Sequence, residues 1–349
     1  MKKLLTNQDS FFVAGSNGMV GNAIVKALKK KGYCDIKKGG KLYKPDRKEL
    51  NLLNYEDVIK WFKINRPKIV IVSAAKVGGI YANHNQPYDF ISENLRISQN
   101  LIEAAWICES KRLLFLGSSC IYPKESKVPI KEEELLASSL EKTNEAYAIA
   151  KISGIKLCEA IRKQYKFDAI SLMPTNLYGP GDNYSNKDSH VMASLIKKFI
   201  LAKRNNLKKV VCWGTGKPLR EFLHVDDLAN ACIDVLEKWD PNKTNSPKNK
   251  NGENLLYLNV GSGEEISIKN LANKIALLTN YKGDIFWEEN KPDGTFRKKL
   301  DSTRIKSLGW EPKIKMDDGI VQVIQNIEKS LNDESDRGKS LRNFWEKEK

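Results

Sequence analysis

The chain has 349 residues, enough for one large α/β domain or two smaller ones sharing a core, and its 41% hydrophobic and 29% charged content is that of a soluble globular protein. A formal net charge of +16 brings nucleic acid, a membrane surface or an anionic small substrate into view. Acidic residues are mixed in throughout, as in Lys131-Glu132-Glu133-Glu134, and there is no basic block with interleaved aromatics, so most of the excess reads as a lysine-rich solvated surface.

In chain order, Ser10–Ala14 reads as a strand, Gly15–Gly21 as a tight turn and Asn22–Lys31 as an amphipathic helix. Lys41–Tyr43 is a second strand, Tyr55–Ile64 a helix, and Lys68–Ser73 a buried parallel strand by its continuous apolar character. Glu93–Ser110 has helical period and Arg112–Gly117 is the next strand. Glu145–Lys166 is another helix, followed by a strand at Asp168–Leu172. Strands alternating with helices at this interval predict a Rossmann-type, doubly wound parallel sheet with right-handed crossovers.

After Pro174 the regularity loosens. Tyr178–Asp188 is a Gly/Pro/Asn-rich loop, His190–Lys203 a helix, Val210–Trp213 a strand, and Glu221–Lys238 an apolar start leading into a helix. Asp240–Asn254 has the composition of an exposed loop, Ile268–Thr279 is a helix, and Glu334–Lys349 is a charged tail. This organisation assigns residues 1–177 and 219–261 to a dinucleotide-binding domain, and residues 178–218 and 262–349 to a smaller α/β substrate domain.

Six cysteines (Cys34, Cys108, Cys120, Cys158, Cys212, Cys232) show no C-x-x-C and no metal-ligand spacing, and there are only three histidines. They read as reduced thiols of a cytoplasmic protein without a structural metal. No apolar run reaches signal-peptide or bilayer length.

Two motifs carry chemistry. Gly15, Gly18 and Gly21 follow a strand and open a helix, the arrangement that lets backbone amides approach a pyrophosphate. Past the second strand, Lys44-Pro-Asp46-Arg47-Lys48 offers Arg47 for the extra phosphate of NADP, which Asp46 opposes; the balance favours NADP. Tyr147 and Lys151 are one helical turn apart and share a face, a phenol beside an ammonium that lowers its pKa. Upstream, Ser118 and Cys120 are two apart, so in an extended segment they face the same way. Asn176 follows a strand, where ligands of α/β sheets gather.

With Gly117-Ser-Ser-Cys-Ile-Tyr-Pro123 and Pro174-Thr-Asn-Leu-Tyr-Gly179, these residues resemble the extended short-chain dehydrogenase/reductases. Ala74-Ala-Lys-Val-Gly-Gly-Ile80, Ser189-His190-Val191, Trp213-Gly-x-Gly-x-Pro-x-Arg-Glu-Phe-Leu-His224 and Lys291-Pro-Asp-Gly-Thr295 narrow the resemblance to the GDP-L-fucose synthases, from about Phe11 to about Trp310. Asn17 stands where that family often carries an Arg, which leaves Arg47 more of the phosphate contact.

The resemblance implies a homodimeric enzyme that epimerises a GDP-linked 4-keto-6-deoxy sugar at carbons 3 and 5 and then reduces carbon 4 with NADPH. Cys120 matches the base and His190 the acid of the first stage. Tyr147 matches the proton donor of the second, with Lys151 and Ser118 assisting. The cofactor would lie along Gly15, Ser16, Asn17, Gly18, Met19, Val20, Gly21, Arg47, Leu116, Gly117, Ser118, Ser119, Tyr147, Lys151, Pro174, Thr175, Asn176, Leu177 and His190. Asn176, Lys198, Trp213, Arg220 and Asp293 match positions that hold the GDP-sugar. An alternative keeps fold and cofactor but takes a GDP-4-keto-6-deoxy-heptose, with or without epimerisation. A non-catalytic dinucleotide-binding protein with a nucleic-acid surface would need a broken Tyr/Lys pair or a basic stripe, and the sequence has neither.

Overall fold

The computed structural model describes residues 4–185, 189–291 and 293–332. The chain begins β1 (Ser10–Ala14), α1 (Met19–Lys30), β2 (Lys41–Tyr43), α2 (Tyr55–Asn65), β3 (Ile69–Val72), α3 (Ile80–Asn85), α4 (Pro87–Ile107) and β4 (Arg112–Leu116). It continues through α5 (Glu145–Tyr165), β5 (Ala169–Pro174), β6 (Asn176–Tyr178), α6 (Val191–Arg204), β7 (Lys209–Trp213), β8 (Leu219–His224) and α7 (Val225–Lys238). Then come β9 (Tyr257–Val260), β10 (Glu265–Ser267), α8 (Ile268–Leu278), β11 (Asp284–Glu288), β12 (Arg297–Lys298), α9 (Thr303–Ser307) and α10 (Met316–Asn332).

Strands buried on both faces are apolar almost throughout, and β3 and β4 are buried at every position, with Arg112 at the start of β4 donating to the Leu236 and Trp239 carbonyls. They sit inside a six-stranded parallel sheet of order β2-β1-β3-β4-β5-β9. The order reverses between β1 and β3, and that switch point is where an open α/β sheet leaves a crevice beyond its carboxyl ends. One face is covered by α2, α4 and α5 around Phe62, Leu101, Phe115 and Ile155; the other is covered by α1 and α7 around Ile24, Leu28, Leu228 and Ile233.

Beyond this sheet, β8 pairs antiparallel with β10 and parallel with β12 and β6, and β7 pairs with β11. A third cluster, with Ile196, Phe199, Leu271, Ile275, Ile320 and Ile324, fills the space between α6, α8 and α10.

Several boundaries move relative to the sequence reading. Helix α1 starts at Met19, because Gly18 already serves as its N-cap. Helix α4 starts at Pro87 rather than Glu93, proline being preorganised for a first helical position. The Ser118–Cys120 segment is not extended: Ser119–Ile121 is a single 3₁₀ turn, and the Ser118 hydroxyl caps it by accepting the Cys120 amide at 3.4 Å. The charged segment 334–349 lies outside the described residues.

Candidate active site

A cavity of about 820 Å³ opens along the carboxyl ends of β1, β3, β4 and β5, at the switch point. One end is the glycine turn. Gly15 has φ +76°, and a Cβ there would come within 2.8 Å of Ala74 Cα. A Cβ on Gly21 would lie 2.1 Å from the Gly15 carbonyl oxygen, so only glycine lets α1 meet β1 this closely. The first turn of α1 has no side-chain cap and no acidic residue, which leaves its amides and positive dipole end open to an anion.

Asp46 and Arg47 flank the same end. The Asp46 carboxylate is already engaged, accepting the amides of Lys48 (2.8 Å) and Glu49 (3.0 Å), and these bonds lower its pKa. Arg47 is exposed on the cavity wall. The opposition between the two residues therefore weakens: Asp46 shapes its own turn, and the cation remains.

At the other end stand Ser118, Tyr147, Lys151 and His190. Helix α5 rides close on the sheet because position 154 is glycine; a Cβ there would sit 2.3 Å from Phe115 Cζ. That approach brings the Lys151 ammonium to 2.9 Å from the Leu116 carbonyl and 5.8 Å from the centre of the Tyr147 ring. Burial lowers the Lys151 pKa to about 8. Against the lowering expected from the neighbouring ammonium, burial raises that of Tyr147, so the phenol stays protonated. Phe90 meets the Tyr147 ring edge to face at 6.2 Å. His190 is the N-cap of α6; it is exposed to the cavity, and the surrounding protein lowers its imidazole pKa by desolvation.

Every residue expected to touch the cofactor, from Gly15–Gly21 and Arg47 through Leu116–Ser119, Tyr147 and Lys151 to Pro174–Leu177 and His190, lines this one cavity. Asn176 also lines it, with its amide donating to the Glu221 carbonyl at 2.9 Å. Cys120 lies just behind the wall, 8% exposed, and burial raises its thiol pKa against the opposing fields of Lys298 and Lys151.

Lys198, Trp213, Arg220 and Asp293 do not line the cavity. Trp213 is 66% exposed at the end of β7, with the ammonium groups of Lys198 and Lys291 5.7 and 5.6 Å from its ring centre. Arg220 spends one N–H on the Leu219 carbonyl at 2.8 Å. The Asp293 carboxylate accepts the Thr215 hydroxyl at 2.6 Å and the Thr215 amide at 3.0 Å, tying its loop to the β7–β8 turn.

Three further elements of the site escape the sequence reading. Lys76 on the cavity wall is paired with Asp89 (3.1 Å) and Glu93 (3.0 Å), while the Asn94 amide group bonds both the N–H and the C=O of Lys76. Asp182 lines the cavity with Oδ2 unbonded and a pKa raised by burial to about 6. Lys298, half-buried on β12, is near enough for its positive charge to oppose the rise in the Cys120 thiol pKa. In sequence it is one lysine of Arg297-Lys-Lys299 in a chain with 59 lysines and arginines, so nothing marks it out.

Residues 11–249 match the model of the NAD dependent epimerase/dehydratase family. The chain belongs to that family. Within the family, it is 48% identical over 311 residues to GDP-L-fucose synthase 1 of Arabidopsis thaliana, covering 89% of this chain and 90% of that one. It is 47% identical over 318 residues to the GDP-L-fucose synthase of Escherichia coli K12, covering 90% and 95%. Among solved structures, a GDP-mannoheptose C4 reductase from Campylobacter jejuni with NADP bound is 33% identical, covering 93% and 99%, with a TM-score of 0.79. Family membership accounts for the glycine turn, the six-stranded sheet and the Tyr147/Lys151 pair together.

Proposed function

We propose that the chain converts GDP-4-keto-6-deoxy-D-mannose to GDP-L-fucose by 3,5-epimerisation and NADPH-dependent reduction of the 4-keto group. The observation that carries this reading is one cavity that starts at the Gly15–Gly21 turn and ends at Tyr147, Lys151 and Ser118, with Cys120 directly behind. The identities of 47–48% to fucose synthases, against 33% to the heptose reductase, favour the six-carbon substrate.

The cofactor fits the residues present. Uncapped amides at the start of α1 suit a pyrophosphate, and the exposed Arg47 beside a self-engaged Asp46 suits the 2′-phosphate of NADP. When bound, NADPH supplies the hydride for carbon 4.

The chain's own groups then hold and move protons. Carbons 3 and 5 flank the ketone and are acidified by it; Cys120 is the base and His190 the acid on the opposite face. His190, its pKa lowered by desolvation, is neutral at pH 7 and has to be charged with a proton before it acts. Tyr147, protonated because it is buried, donates to the oxygen on carbon 4. Lys151 fixes the cofactor ribose and Ser118 the sugar oxygen.

Arg220, Lys198, Trp213 and Asp293 form the nucleotide end, with Asn176 between the two halves. Lys198, Trp213 and Asp293 fall in the segments 178–218 and 262–349 proposed for the sugar nucleotide, whereas Arg220 falls in 219–261, beside the cofactor segment 1–177. Exposed Tyr88 on α4, with Ile149, Leu157 and Tyr165 on α5, supports a homodimer through these two helices. No described helix is long and apolar enough to cross a membrane, and the free cysteines fit a reducing cytoplasm.

The test is NADPH oxidation with GDP-4-keto-6-deoxy-mannose, the product identified by NMR. GDP-L-fucose is expected. Turnover of only the seven-carbon 4-keto sugar nucleotide sinks the substrate assignment and leaves a 4-reductase on heptoses.

A further inference from the structure

The 3₁₀ turn that carries Cys120 is three residues long, too short to fix a side chain by its own hydrogen bonds. Its first end is tied to the sheet: the Gly117 amide donates to the Leu172 carbonyl at 2.9 Å, and the Ser118 hydroxyl supplies the cap. Its far end is Tyr122. The Tyr122 amide closes the turn on the Ser119 carbonyl at 3.4 Å. The phenol, 2% exposed, donates to the Asn259 side-chain oxygen at 2.6 Å.

Asn259 lies in β9, fully buried and in register with Met173 of β5. Its side-chain nitrogen donates to the Ile130 carbonyl at 2.9 Å, and its backbone amide donates to the Glu132 carboxylate at 3.0 Å. A flipped side chain would set its oxygen against the Ile130 carbonyl, so only one orientation pairs both ends. Glu132 is itself buried and paired with Arg304 of α9, which also reaches Glu133 at 2.9 Å. The acceptor under Tyr122 is thus held by β9, by the segment around Ile130–Glu132 and by α9. Tyr122 in turn keeps its proton, because burial and the Glu132 charge raise its pKa.

Ser118 and Ser119 line the cavity, and Cys120 follows them directly. A shift of the turn therefore moves the sulfur relative to a bound sugar, and a misplacement of about 1 Å costs a reaction roughly 100-fold. Tyr257 provides the contrast. Its phenol is also buried and donates to the Glu132 carbonyl at 2.9 Å, but it is no part of the Cys120 turn.

We propose that Tyr122 is a positioning residue for proton abstraction: anchored on Asn259, it holds the turn that sets Cys120 behind the cavity wall. The catalytic consequence rests on Cys120 being the base, as in the function proposed above; the anchoring of the turn does not.

The experiment compares Tyr122→Phe with Tyr257→Phe, each of which deletes one buried hydroxyl. In ligand-free protein, alkylation by iodoacetamide is followed cysteine by cysteine with peptide mass spectrometry. Cys158, 1% exposed in the same buried cluster, is the internal reference. The Cys120-to-Cys158 labelling ratio is expected to rise about 10-fold in Tyr122→Phe, by local opening of the turn, and to stay put in Tyr257→Phe. With substrate, two rates are measured: solvent exchange at carbons 3 and 5, and NADP-dependent oxidation of GDP-L-fucose at carbon 4. Their ratio cancels any loss of folded protein. It should fall about 10- to 100-fold in Tyr122→Phe and hold in Tyr257→Phe. Asn259→Ala, which removes the acceptor, should reproduce both changes and replaces Tyr122→Phe if that variant does not fold. An unmoved ratio in either assay, or equal changes in the two Phe variants, overturns the proposal. If wild-type protein never exchanges substrate protons while Tyr122→Phe exposes Cys120 selectively, the base assignment fails and the anchoring stands.

Discussion

The Lys151 ammonium donates to the Leu116 carbonyl at 2.9 Å, so the lysine is fixed by the end of β4 before any ligand arrives. Gly154 makes that contact reachable, and the site thus depends on a helix-to-sheet distance set one turn further along α5. The cost is a charge only 3% exposed, with no carboxylate among the described residues to pair it.

That cost has a defined pH window. Folding lowers the Lys151 pKa from 10.5 to about 8, so between these values the unfolded chain binds more protons, and stability rises with pH. Below the window the buried charge destabilises the fold. Lys151→Met removes the penalty while leaving the Leu116 carbonyl unpaired, for a net gain of about 1 kcal/mol at pH 7. Denaturant titrations should show that advantage over wild type shrinking as pH rises from 8 toward 10.5, while reduction is lost. An advantage that is constant across this range contradicts the assigned burial of charge.

Tyr147→Phe should separate the two stages. Without the phenol proton, reduction drops by roughly 10²- to 10⁴-fold, while exchange of sugar protons with solvent continues. Cys120→Ser should do the reverse, losing exchange because a hydroxyl is a far weaker base than a thiolate. NMR of substrate in heavy water reads both, and wild-type exchange in Cys120→Ser refutes the base assignment.

Gly21→Ala should cost both stability and cofactor binding. Its Cβ would meet backbone, 2.1 Å from the Gly15 oxygen and 2.6 Å from the Gly15 carbon, so the turn must shift. A loss of about 2–4 kcal/mol of stability is expected, with NADPH affinity falling at least tenfold. Equilibrium unfolding and a fluorescence titration measure the two effects.

Arg47→Ala should lower the preference for NADPH over NADH by about 10- to 100-fold, the worth of one charge-assisted contact to a phosphate. The change belongs to NADPH alone; kcat/KM with NADH should hardly move. Asp46→Asn should leave the preference nearly intact, because its carboxylate serves the Lys48 and Glu49 amides. A preference unaffected by Arg47→Ala would transfer the phosphate contact to another residue.

Legibility followed the length and apolar continuity of each element. β1, β3, β4 and β5 are readable because a strand buried on both faces has no polar alternation to confuse, and the glycine turn because its geometry excludes other residues. The pair Tyr147 and Lys151 is readable because helical spacing alone brings the two side chains to one face. β10 and β12 are two or three residues long and defined by pairing with β8, a nonlocal relation that leaves no local pattern. Lys298 is hidden for the same reason: its environment is made by chain distant in sequence. α10 does carry the helical period, in Ile320, Val323, Ile324, Ile327 and Leu331, but its polar start, Met316-Asp-Asp-Gly319, gives no cap signal. The turn at Ser119–Ile121 is not legible, because a serine cap serves turns and strand ends alike.

On the proposed function, one cavity performs both proton exchange at carbons 3 and 5 and reduction at carbon 4. Turnover of GDP-4-keto-6-deoxy-mannose with NADPH in heavy water, followed by mass spectrometry of the product, tests it most directly. A product carrying solvent deuterium at both carbons 3 and 5, with the configuration of GDP-L-fucose, is expected. A reduced product with no carbon-bound deuterium contradicts it and leaves a plain 4-reductase.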